Sequence, residues 1–364
     1  RLYLREKSKL LVYDVRARDQ LTDTAPVKRT WAGTLGQLQQ LGVGLEPLAA
    51  YLERTGSRKH RQLYGELVGQ ADSGQVPILV TMDSRQLATD GSLPVKIQQL
   101  LEKVSRPLLV NVAGTGISRA GVRQLANVKA LRGLSLELCP RVDDEAVKQL
   151  STAKELIVLG LMGVDVSEKG LASLQALKNL RSLDLEICEQ VGDAGCTELA
   201  KFPALRVLIL KKTAFEPIRV SDDGLKKLAP LSQLRVLNLY ANNISDKGLA
   251  HLQHLRELRQ LDLSLTAITD AGLAQLSKLA GLTHLDLLYS NGFAGPIVTG
   301  KGLKSLAELE SLQSLNLVGA KIGDESLQLP WPKTLRSLHL ANTRVTEQGI
   351  ESLKRKLPGC QVVR

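Results

Sequence analysis

Leu258-Arg259-Gln260-Leu261-Asp262-Leu263-Ser264-Leu265-Thr266-Ala267-Ile268-Thr269-Asp270-Ala271-Gly272-Leu273 decides the fold. Leu261-Asp262-Leu263 alternates as a strand with one buried face does, so both leucines point inward and Asp262 outward. Thr269 then reads as a helix N-cap, with Asp270 at the positive end of the helix dipole. Leu273, Leu276 and Leu279 follow at helical spacing and close the same core from the opposite side.

The pattern L-x-x-L-x-L recurs from Pro107, with starts at Leu131, Leu156, Leu180, Leu205, Leu234, Leu258, Leu282, Leu312 and Leu335. The intervals are 24, 25, 24, 25, 29, 24, 24, 30 and 23 residues. A shared period in one phase is the mark of a solenoid, in which no single unit can bury its apolar face alone. Composition agrees, because hydrophobic residues make up 43% of the chain and aromatics only 3%, leaving an aliphatic core.

On these segments the chain resembles the leucine-rich-repeat family, in its short subtype of about 24 residues with a capped convex helix. The resemblance covers residues 107–364 and implies an α/β fold, a right-handed solenoid in a horseshoe or arc. A concave parallel β-sheet and short convex helices would form it. It also implies a ladder position holding Asn, Cys or Thr. Here that position carries Thr115, Cys139, Val164, Cys188, Thr213, Asn242, Thr266, Ser290, Ala320 and Thr343. Val164 and Ala320 lack a polar side chain, so looser or differently bonded turns are expected there.

A stack needs covers at both ends. Leu357-Pro358-Gly359-Cys360-Gln361-Val362 reads as a closing strand with Cys360 in a leucine position. Pro77–Met82 followed by Ile97, Leu100 and Leu101 reads as a degenerate first repeat, so the solenoid is expected over 76–364. Residues 1–75 are then a small, α-rich capping or accessory region. Leu10–Val15 suits a strand, and Thr34–Arg54 a helix broken near Gly42-Val43-Gly44.

The net charge of +11 is spread along the chain rather than gathered in a nucleic-acid arm, so no nucleic-acid partner is expected. No run of 18 apolar residues is present to span a membrane. The chain begins at Arg1 rather than Met, which leaves room for an upstream signal or anchor and leaves localisation open. The four cysteines show no C-x-x-C spacing, so neither a metal site nor a disulfide requirement is expected. His251 and His254 share a helix face without a third ligand, and a solvated face is the preferred reading. No phosphate loop, nucleophile elbow or zinc-protease motif occurs, so no enzyme activity and no cofactor are expected.

The outward strand residues instead suggest a contact surface for a protein partner. Tyr240, Asp262, Leu265, Asp286, Leu288 and Tyr289 gather on adjacent repeats, and tyrosines among exposed aliphatics read as an interface hot spot. The two long intervals add Ala214–Arg219 and Asn291–Pro296, which place Phe215 and Phe293 on one rim beside them. The expected function is a non-enzymatic recognition scaffold. The alternative is a structural subunit of a larger or membrane-associated assembly that docks through residues 1–75 and the basic terminus.

Overall fold

The computed structural model describes residues 2–5, 10–13, 32–68, 77–213, 220–289 and 298–364. One sheet of 13 strands runs through the molecule in strict sequence order. From the first repeat onward its strands are β4 (Ile78–Thr81), β5 (Leu108–Asn111), β6 (Leu131–Ser135), β7 (Val158–Gly160), β8 (Ser182–Asp184) and β9 (Val207–Ile209). They continue as β10 (Val236–Asn238), β11 (Gln260–Asp262), β12 (His284–Asp286), β13 (Ser314–Asn316), β14 (Ser337–His339) and β15 (Gln361–Val363), all parallel. The leucines of the repeat are sealed in one continuous core between this sheet and the short helices. β15 pairs with β14, Val362 beside Leu338.

Among the described repeats, the backbone leaves most strands through a left-handed residue just before the ladder position: Gly114, Leu138, Gly163, Ile187, Ala241, Leu265, Gly319 and Asn342. Val164 and Ala320 follow Gly163 and Gly319, and both turns close with a main-chain bond of 3.0 Å, to Leu161 O and Leu317 O. They are no looser than the Thr115 turn, whose equivalent bond is 3.2 Å. Elsewhere the ladder side chains work as the resemblance implies: the Cys139 thiol donates to Val112 O at 3.2 Å and Asn242 Nδ2 donates to Leu210 O at 2.8 Å. All four cysteines are buried and free, and burial pushes the Cys188 and Cys196 thiols up to about 12.

The helix caps do more than satisfy their own helix. Asp246 Oδ1 accepts the backbone N–H of the next repeat's cap, Thr269, at 2.8 Å, and Oδ2 accepts its hydroxyl at 2.5 Å. The same pair of bonds joins Asp144 to Ser167, Asp193 to Ser221, Asp222 to Ser245, Asp270 to Thr299 and Asp324 to Thr346. Each Asp then stands 2.1–2.5 Å from where a Cβ would sit on the glycine three residues past the cap. Glycine is therefore required at 170, 224, 248, 272, 302 and 349. Where the rung acid is replaced by Gly300, the opposing residue is Ser326, whose hydroxyl fills that space.

The N-terminal region supplies an antiparallel hairpin, β1 (Leu2–Arg5) with β2 (Leu10–Tyr13). It then forms α1 (Gly33–Gln40), β3 (Gly44–Pro47), α2 (Leu48–Thr55) and α3 (Arg58–Val68). The interruption expected near Gly42–Gly44 is not a simple helix break, because β3 extends the sheet antiparallel to β4 and so seals the first repeat. That pairing depends on a partner more than thirty residues away, beyond any local pattern.

Candidate functional site

Alternate strand residues face away from the core and form two columns on the concave side. Strand register sets one of them as Leu109, Gly133, Val158, Ser182, Val207 and Val236, then Gln260, His284, Ser314 and Ser337. Its first part is apolar or small and its last part polar. An apolar surface of that extent requires a cover.

α3 is that cover. Leu63, Tyr64 and Leu67 fall on one face of the helix and are buried with Leu79, Leu109, Ile157 and Val158 of the sheet and with Leu48 and Leu52 of α2. Gly133 makes the approach possible, because a Cβ there would stand 3.3 Å from Leu67 Cδ2 and 2.4 Å from Leu109 Cδ1. Charged groups flank the apolar stripe. Lys59 Nζ lies 2.6 Å from Asp184 Oδ2 and 2.7 Å from Glu186 Oε2, and Lys211 Nζ reaches the other Glu186 oxygen at 3.0 Å. Glu66 accepts from Arg206 at 2.9 Å and faces Arg181 at 3.9 Å, while Gln62 bonds Gln260 and Arg58 pairs with Asp286 at 2.9 Å.

A leucine-rich-repeat family model matches residues 176–200, 250–277 and 308–329. The chain is a leucine-rich-repeat protein. The solved structure of an internalin from Listeria monocytogenes shares the fold at a TM-score of 0.52 and 18% identity, over 87% of this chain and 96% of that one. No curated protein matches the chain.

In this leucine-rich-repeat protein the residues read from the sequence as a contact patch divide. Tyr240 is half-buried on the open side, with Lys211 Nζ 5.1 Å from its ring centre. Asp262 accepts from Asn238 Nδ2 at 3.1 Å and from the Ser264 N–H at 3.0 Å, and burial with the neighbouring Asp286 pushes its carboxyl up. Leu265 and Leu288 are half-buried and joined by a main-chain bond of 2.9 Å. Tyr289 departs from the expected exposed position: it is 4% exposed and belongs to the core. Its repeat lacks the left-handed turn residue, so the side chain turns inward and its hydroxyl donates to Ile268 O at 3.5 Å. Lys212, in the other long repeat, does the same and donates to Cys188 O. Phe215 and Phe293 lie outside the described residues, as do both insertions.

His251 and His254 sit in a short convex 3-10 helix, Ala250–His254. No group of three potential metal ligands occurs among the described residues. No helix among them is long and apolar enough to cross a membrane.

The buried charges under α3 titrate against one another. Burial works to lower the Lys59 pKa, but Asp184, Glu137 and Glu186 outweigh it and hold the ammonium above its ordinary range. Burial also works to raise Glu186, yet Lys59 and Lys211 hold it down at about 2, whereas burial wins at Asp184 and pushes it up. Because Glu186 sits below its ordinary 4.5, its pairing stabilises the fold above that pH and is lost as pH falls toward 2. The thermal midpoint of the wild type is therefore expected to drop more steeply than that of Glu186→Gln between about pH 4.5 and about pH 3. Parallel profiles would show that this carboxylate does not carry the pairing.

Proposed function

We propose that this protein is a non-enzymatic recognition scaffold, and that it holds a protein partner on the concave strands β10–β14, which lie beyond the apolar stripe of α3 and meet that helix only at Gln62 and Arg58 among the described contacts. The observation that carries the reading is the docking of α3 itself. A helix with an apolar stripe flanked by charges already sits on the neighbouring strands of the same sheet. The helix-in-groove mode is a recurring way for proteins to take a partner segment. The leucine-rich-repeat family is typically non-enzymatic, and the proposal takes the same direction.

Tyr240, Leu265 and Leu288 supply the apolar contacts in this reading, and Asp262 and Asp286 the polar ones, Asp286 by giving up its pair with Arg58. Tyr289 is better read as support, since it fixes the turn from beneath. The structural-subunit reading rests on residues 1–75 as a docking element, but within them α2 and α3 pack on the chain's own sheet and α1 packs against β3 and the helix Val95–Glu102.

A Tyr240→Ala/Leu288→Ala variant should keep its far-ultraviolet circular dichroism and lose at least tenfold in affinity for a partner identified by crosslinking to the wild type. Unchanged affinity in that variant would rule out this surface.

A further inference from the structure

A second surface runs along the rim where the strands begin. The first variable position of the repeat is Arg in consecutive units, and the main chain threads them together. The Arg206 N–H donates to Arg181 O at 2.8 Å, Arg235 to Arg206 O at 2.7 Å, and Arg259 to Arg235 O at 2.8 Å. Neighbouring parallel strands are about 4.8 Å apart, so the four guanidinium groups spring from a row about 14 Å long.

These arginines adopt two arrangements. At the same repeat position, Arg132, Arg259 and Arg336 fold back onto carbonyls of their own turn, at 2.6–3.3 Å. Arg206 instead extends to the Glu66 carboxylate of α3 at 2.9 Å, with Arg181 facing the same oxygen at 3.9 Å. One acid thus sits against two adjacent rungs. Arg235 is exposed and has no side-chain partner among the described residues, and Arg259 has only the partly exposed Glu257, at 3.4 Å.

We propose that the rim from Arg181 to Arg259 binds an extended acidic polypeptide segment, for which Glu66 is the internal stand-in. Arginine forks match carboxylates, and clusters of them recognise acidic motifs. An extended strand rises about 3.3 Å per residue, so its carboxylates can meet successive rungs. Single-stranded nucleic acid would want aromatic stacking platforms between the charges. The column offers Ile157 before the four arginines and Thr283 and Gln313 after them, with no ring. This rim is separate from the concave patch proposed above, so either can fail alone.

The test is fluorescence anisotropy of a labelled eight-residue glutamate peptide with the full chain at low ionic strength. Wild type should bind, Arg235→Gln/Arg259→Gln should bind at least tenfold more weakly, and Glu66→Gln should bind several-fold more tightly by releasing Arg181 and Arg206. Asp262→Asn/Asp286→Asn should bind no more weakly than wild type. The proposal is overturned by no wild-type binding, by equal binding in the arginine variant, by weakening in the Asp262/Asp286 variant, or by no gain in Glu66→Gln. It is overturned equally if a single-stranded oligonucleotide of eight residues binds more tightly and shows the same arginine dependence.

Discussion

Lys59→Ala should destabilise the protein by about 3–5 kcal/mol in urea denaturation, the penalty for removing one partner of a buried ion pair. Lys59 Nζ lies within 2.7 Å of both Asp184 and Glu186, and the Asp184 side chain is fully buried. Without the ammonium, Lys211 still serves Glu186, but among the described residues Asp184 has no remaining cation at ion-pair distance. The chain has one escape, which is to release α3 and rehydrate the carboxylates. The loss is thus limited by the docking free energy of α3, and the repeats should stay folded because each depends mainly on its neighbours. A Lys59→Ala/Asp184→Asn double variant should recover part of the loss, since the stranded charge is gone. A change below about 1 kcal/mol in Lys59→Ala would mean that the pair is solvent-screened and does not hold α3.

Gly272→Ala should cost about 2–4 kcal/mol, whereas Gly195→Ala should be near neutral. Both glycines occupy the same helix position, where alanine is intrinsically better by about 1 kcal/mol. They differ in what opposes them. A Cβ at 272 would stand 2.1 Å from Asp246 Oδ1, so the substitution must displace the carboxylate and both bonds to Thr269. Hydrogen bonds to a charged group contribute about 1.5–3 kcal/mol each. At 195 the nearest atom is a methyl of Val191 at 3.0 Å, because Glu168 of the preceding repeat and Gly192, the cap of this helix, stand in place of the Asp rung and the capping hydroxyl. Equal effects in urea denaturation would show that the rungs add nothing beyond steric fit.

Much of this architecture is written in the repeat itself. The phase of Leu258, Leu261 and Leu263 places strand, turn and helix in every unit, and the closing strand at Gln361–Val363 follows from the same spacing. The dual use of Asp246 was only half visible: its place after a cap signals the helix dipole, but its bond to the next cap requires the stacking distance. Tyr289 was misplaced because strand alternation continues outward only where the turn residue is left-handed, and the backbone angle at that residue is not encoded by any local pattern. The concave cover was missed for a different reason. Asn111, Ser135 and Asp184 in one column are polar and suggest an open face, while Leu109, Gly133 and Val158 in the parallel column call for a lid. Leu63-Tyr64 and Leu67 then match that need at helical spacing, with Lys59 and Glu66 placed for the charges on either side.

The apolar stripe of α3 closes the first part of the concave sheet, and only Gln62 and Arg58 of the helix reach on to β11 and β12 among the described contacts. Hydrogen–deuterium exchange measures this directly. The amides of residues 61–68 in the wild-type chain should be protected well beyond what an isolated helix of this length would show, and in Lys59→Ala that protection should collapse while strands β10–β14 keep theirs. Rapid exchange across 61–68 in the wild type, with the strands protected, would contradict the account.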